Sequence, residues 1–292
     1  MPDLPNEVIH HIFESLWSII STHPGRDYAA IPPSPSHFYS NFLLVNKTWH
    51  QLAIPFFIRW WSTTRNPGKI LEYVKGKNAG PLVRHVTMGA WPEIGSVEIP
   101  LRVATWRGVF GAFTHLTSVS VRVDALDRKP LPTSVAANNW LKVCYRTLSD
   151  LPLEQRARFR KLNLQFANDL VLIEDSDIHQ FAEALPNVSS LLLQGFGPPT
   201  ESGELIIRNA GRVSEEESAW WTGLRHFTAL HFQCQHEADE TSVITSILAA
   251  SFQTLLSFTA EEVVSLAPTP LSPAAPLVSQ SRICLESHQS LS

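Results

Sequence analysis

The chain has 292 residues, 44% of them apolar and 17% charged, with a formal net charge of -4. That balance supports a buried core, and the length suits one medium domain plus a small one, or a single elongated array. An acidic chain without a basic stripe argues against a nucleic-acid binder, whose phosphate contacts need clustered Lys and Arg.

The opening, Met1 to Glu7, carries acids and proline where a secretory leader would have a positive start and an apolar run. The stretch closest to a membrane span, Asn41 to Trp61, is interrupted by Lys47, His50, Gln51 and Arg59. Cys144, Cys234 and Cys284 are far apart and form no CxxC pair, which fits a reducing compartment. The expected location is therefore cytoplasmic and/or nuclear, with no membrane partner.

Residues 5–20 read as a helix, with Val8, Ile9, Ile12, Phe13 and Leu16 at the spacing of one apolar face. Asp3 is a candidate cap, and Pro5 sits where a first-turn proline costs nothing. Residues 21–37, rich in Pro, Ser and Gly, read as a loop. Helical spacing returns from Phe38 to about Ala53, with Leu44, Val45, Thr48, Trp49 and Leu52 on one face. Pro55 is expected to end or kink that helix.

From about residue 67 short helices and strand-like pieces alternate, starting with a helical PGKILEYVKG. The strand-like pieces are VRHVTM, LTSVSV, FRKLNLQF, VSSLLLQ, FTALHFQ and LLSFTA. Two of them fit a loose leucine pattern, Leu185, Val188, Leu191, Leu193 and Leu224, Phe227, Leu230, Phe232. Anchors at Val86, Val119, Leu162, Leu191, Leu230 and Phe258 recur at unequal intervals. Helices are predicted between them at 100–112, 134–148, 176–185, 214–221 and 241–252. Units too small to bury a face alone suggest an irregular solenoid over 67–264. An ordinary α/β domain with βαβ units is the competing architecture. The Pro- and Ser-rich tail, 265–292, has no period and is expected to be disordered.

The residues Leu4-Pro5, Glu7, Val8-Ile9, Ile12-Phe13 and Leu16 resemble the first helix of an F-box. The run Leu43 to Pro55, with Leu44, Val45, Lys47, Trp49 and Ala53, is similar to its second half. The sequence departs in the long segment between the halves and in Asn46, where the family often has cysteine. Together with the downstream units, the chain resembles divergent fungal F-box proteins with a leucine-rich-repeat-like C-terminal region. The resemblance implies an α+β or α/β fold, with a small three-helix F-box at 1–60 followed by the irregular repeat-like α/β solenoid. It also implies docking on a Skp-type adaptor, and through it a cullin scaffold, while the later region holds an unknown protein substrate for ubiquitination. Leu4, Pro5, Ile9, Phe13, Leu44, Val45 and Trp49 are the expected adaptor-binding residues, with Trp49 shared with the helix core. A module this small cannot enclose all of these side chains.

Other features have plainer readings. Strand alternation would place His231 opposite Cys234, so His226, His231, Cys234 and His236 read as scattered strand residues and not as a metal site. Trp60-Trp61 and Trp220-Trp221 read as plugs between elements. His10 and His11 point apart on a helix and read as solvated. The acids Glu174, Asp175, Asp177 and Glu215 to Glu217 suit helix starts. Motifs for phosphate loops, nucleophile elbows, zinc helices and dinucleotide sites are missing. No enzyme activity, catalytic residue, cofactor or metal is expected. Two alternatives remain, a repeat scaffold without a ligase role and an α/β enzyme whose site follows no motif.

Overall fold

A computed structural model describes residues 5–22, 45–63, 80–89, 98–123, 134–167, 172–196, 205–208, 220–235, 242–266 and 283–286, with isolated positions between 72 and 78. Among the described residues the first elements are two helices, α1 (Asn6–Thr22) and α2 (Lys47–Arg59). Asn46 caps the second, its Oδ1 accepting from the Trp49 amide at 2.9 Å. Such a cap contributes about 1 kcal/mol. Pro55 lies inside α2, which runs on to Arg59 instead of stopping. Packing explains this, because Phe56 is fully buried and the Arg59 guanidinium sits 4.2 Å above its ring.

Helix α2 passes directly into strand β1 (Trp60–Thr63). A short 3-10 turn, Gly80–Leu82, leads into β2 (His85–Gly89). The chain continues through α3 (Ile99–Ala112), β3 (Ser118–Val123), α4 (Ser134–Ser149), the single-turn α5 (Leu153–Arg156) and β4 (Lys161–Ala167). Then come β5 (Leu172–Glu174), α6 (Asp175–Ala184), β6 (Ser190–Phe196), β7 (Ile206–Arg208) and β8 (His226–Gln235). Helix α7 (Val243–Ser251), β9 (Ser257–Leu266) and β10 (Ile283–Glu286) complete the described elements. The expected helices at 67–76 and 214–221 fall mostly outside the described residues.

Seven strands, β1, β2, β3, β4, β6, β8 and β9, run parallel and pair in chain order. β7 extends the far half of β8, β5 pairs with β7, and β10 pairs antiparallel with β9. The expected three-helix F-box followed by a leucine-rich-repeat-like solenoid is therefore corrected. The architecture is α/β and Rossmann-like in its alternation, with one curled all-parallel sheet, a half-barrel, carrying its helices. Two physical reasons account for the difference. Among the described residues the first helices close over Ile9, Phe13, Ala53 and Phe56, and α2 continues straight into a strand of the sheet. The rest shares one contiguous core from Val83 to Ile247, so the units do not stand as separate repeats.

The register puts Val86, Val119, Leu162, Leu191, Phe227 and Phe258 in one row. Five of the six sequence anchors lie in it, but Leu230 is three residues off. Val86, Val119, Leu162, Leu191 and Phe227 are buried, as are Met88, Val121, Leu164, Leu193 and Ala229 in the row two residues on. In β8 the alternation is broken at His231, whose φ is 56°. Phe227, Ala229, Phe232 and Cys234 consequently all belong to the same core despite their odd and even numbers. Helices α3 and α4 cover this core with Trp106, Phe110 and Trp140, the two indoles meeting at 6.2 Å. Gln155 of α5 donates to the carbonyl of Phe110 at 2.9 Å, satisfying an open end of α3.

Candidate functional site

Helices α1 and α2 close on each other through aromatic edges. Phe13 meets Trp49 at 5.7 Å and Phe56 at 5.5 Å, both edge to face. Arg59 holds the pair together with a two-pronged bridge to Glu14, Nη1 to Oε2 at 3.1 Å and Nη2 to Oε1 at 2.9 Å. This hydrogen bond keeps the Glu14 carboxyl below its ordinary range.

The expected adaptor-binding residues divide. Ile9 and Phe13 are buried inside the helix pair and offer a partner no side-chain surface. Trp49 is half-buried against Phe13, as a residue shared with the core. Pro5 and Val45 are exposed. Leu4 and Leu44 lie outside the described residues. Sequence spacing merged two stripes of α1 into one face. Ile9, Phe13 and Leu16 turn inward, while Val8 and Ile12, one turn apart, stay exposed beside Pro5. Val8 and Ile12 were not among the expected binding residues. The signal for them was available, since five apolar positions span more arc than one neighbouring helix covers.

A second grouping lies on the sheet face opposite the helix-covered core. His85 is buried, with Nδ1 2.7 Å from Ser118 Oγ and Nε2 3.0 Å from Ser120 Oγ and 3.3 Å from Thr87 Oγ1. Asn163 Nδ2 donates to Ser120 Oγ at 3.0 Å, and Gln165 donates to Gln194 at 3.1 Å. Burial, aided by the nearby Lys161 charge, pushes the His85 imidazole well down, so it is neutral at physiological pH. A neutral histidine between two serines is the start of a nucleophile–base arrangement. The remaining parts do not follow here. The backbone of Ser118 and Ser120 is engaged in the parallel ladder, leaving no amide there for an oxyanion. The network orders three strands of the sheet.

The other flagged residues have structural partners. His226 Nδ1 lies 2.8 Å from Ser257 Oγ, and burial raises the Cys234 thiol to about 12. His236 lies outside the described residues. Trp221 is buried and donates from Nε1 to the Leu185 carbonyl at 2.9 Å, while Trp220 packs edge-on against His179 at 5.2 Å. Asp175 and Asp177 do occupy the first turn of α6, and the Ser176 amide donates to Asp175 Oδ1 at 2.8 Å. His10 and His11 are exposed, with His10 touching the edge of Phe56. The side chains of Trp60 and Trp61 lie outside the described residues. Among the described residues no three His, Cys, Asp or Glu side chains cluster as metal ligands, and no helix is long and apolar enough to cross a membrane.

Comparison with protein-family models, curated proteins and solved structures yields no match for this chain.

Proposed function

We propose that the protein is a recruitment adaptor, whose first two helices dock on a Skp-type adaptor of a cullin ubiquitin ligase while the α/β body holds a target protein. The observation that carries this reading is the outward stripe of α1. Val8 is 42% exposed, Ile12 36% and, at the start of α2, Val45 56%, next to a helix core that is already closed. Exposed apolar side chains arranged along one helix mark a binding surface. The residues Leu4 to Leu16 and Leu43 to Pro55 resemble an F-box, and this selects the kind of partner. The protein would contribute proximity and no chemistry, raising the local concentration of its target near a ubiquitin-charged enzyme.

The test is co-elution of the full chain with a purified Skp-type adaptor on gel filtration. The wild type should form a complex that Val8→Glu with Ile12→Glu cannot form, because both new carboxylates would be desolvated at the interface. Complex formation by that variant equal to wild type would remove the assignment of this surface.

A further inference from the structure

The parallel strands β2, β3, β4, β6, β8 and β9 all receive the chain at the same end of the sheet. Backbone bonds extend the register one residue beyond the strands. Ser118 donates to the Arg84 carbonyl, Arg160 to Thr117, Ser189 to Arg160 and Arg225 to Ser189. Arg84, Arg160 and Arg225 therefore occupy one row, two strands apart each time. Arg158 lies on the same rim and donates to the Thr114 carbonyl, as Arg84 does to Pro81 and Arg160 to Asn187.

Among the described residues no ion pair joins Arg84, Arg158, Arg160 or Arg225, whereas Arg59, Arg102 and Arg107 each have a carboxylate. The rim segments 80–84, 113–117, 150–160, 185–189, 220–225 and 252–256 contain only two acids, Asp150 and Glu154, and Asp150 already faces Arg107. The same segments carry exposed apolar side chains, above all Phe252, 83% exposed, and Leu256 beside it. Arginine and aromatic side chains left open together are the composition of an interface centre.

We infer that this rim binds an extended acidic segment of a partner protein, with an apolar residue of that segment seated on Phe252 and Leu256. Charge complementarity selects the partner, since a chain of net charge -4 concentrates here arginines that have no carboxylate partner among the described residues. The spacing selects its pattern. Two strand spacings come to about 10 Å, close to three residues of a polyproline-II chain at about 3.1 Å each, whose every third side chain returns to the same side, so acids at every third position meet successive arginines. The inference builds on the recruitment reading by placing the target on the rim, and not on the largely buried polar face of the sheet.

The experiment uses the full chain and three labelled probes read by fluorescence anisotropy. These are a Gly/Ser peptide with glutamate at every third position and a terminal leucine, the same composition with its glutamates in one block, and a short oligothymidylate. The spaced peptide should bind most tightly, weaken with salt, and lose about tenfold in affinity with Arg160→Glu plus Arg225→Glu. Phe252→Ser should weaken it as well. Equal binding to wild type and the arginine variant, no preference for the spaced peptide, or stronger binding of the oligonucleotide would overturn the inference. These substitutions lie outside α1 and α2, so adaptor co-elution measured on the same variants separates failure of the rim from failure of the recruitment reading.

Discussion

Single side chains in this protein are tuned by burial more than by neighbouring charge. Asp177 is the clearest case, because desolvation, with Glu174 adding to it, raises its carboxyl to about 6 from an ordinary 3.8. A carboxyl that is harder to ionise when folded makes the native state bind more protons than the unfolded chain between those two values. Stability from this group therefore falls as pH rises from about 4 to 6 and stays reduced above that. Asp177→Asn should stabilise the protein by about 1 kcal/mol at pH 7.5 and by almost nothing at about pH 3. Urea unfolding at the two pH values checks it, and an equal effect at both would contradict the assigned cause. Asn46 is a departure from the resembled pattern that has a structural role. It stands where the F-box pattern often has cysteine, yet it does a specific job as the cap of α2. A predicted helix starting at Phe38 hid that boundary.

Among the elements, strands were the most legible part of the sequence. Each strand-like run named from sequence corresponds to a strand, because β-branched and leucine residues alternate over short lengths between turns. Leu230 was mistaken for an anchor because His231, with φ at 56°, breaks the alternation that the pattern assumed. No local residue type announces that conformation. The α1–α2 pair is a separate small cluster from the main core, and this has a consequence. Phe13→Ala removes its central side chain, a change that costs about 3–5 kcal/mol in a packed core. Limited proteolysis of this variant should cut within Asn6–Thr22 much faster than in wild type, while the sheet remains resistant. Cleavage spread evenly along the chain would show that the two clusters unfold as one.

For the whole molecule, local pattern gave α and β elements in the right order but could not give their assembly. The same alternation suits a stack of repeats or a curled α/β sheet, and the pairing that decides between them is long-range. The arginine rim was invisible for a related reason. Arg84, Arg158, Arg160 and Arg225 are spread over the sequence and become neighbours only when parallel strands align their entry ends. The binding stripe on α1 was half legible: its helix and apolar content could be read, but which residues the second helix covers could not. Hydrogen–deuterium exchange of the full chain with and without a Skp-type adaptor tests the central claim most directly. The account predicts added protection concentrated in Asn6–Thr22 and at the start of α2, with the sheet unchanged. Adaptor binding that leaves those helices unaltered, or that protects the sheet instead, would contradict it.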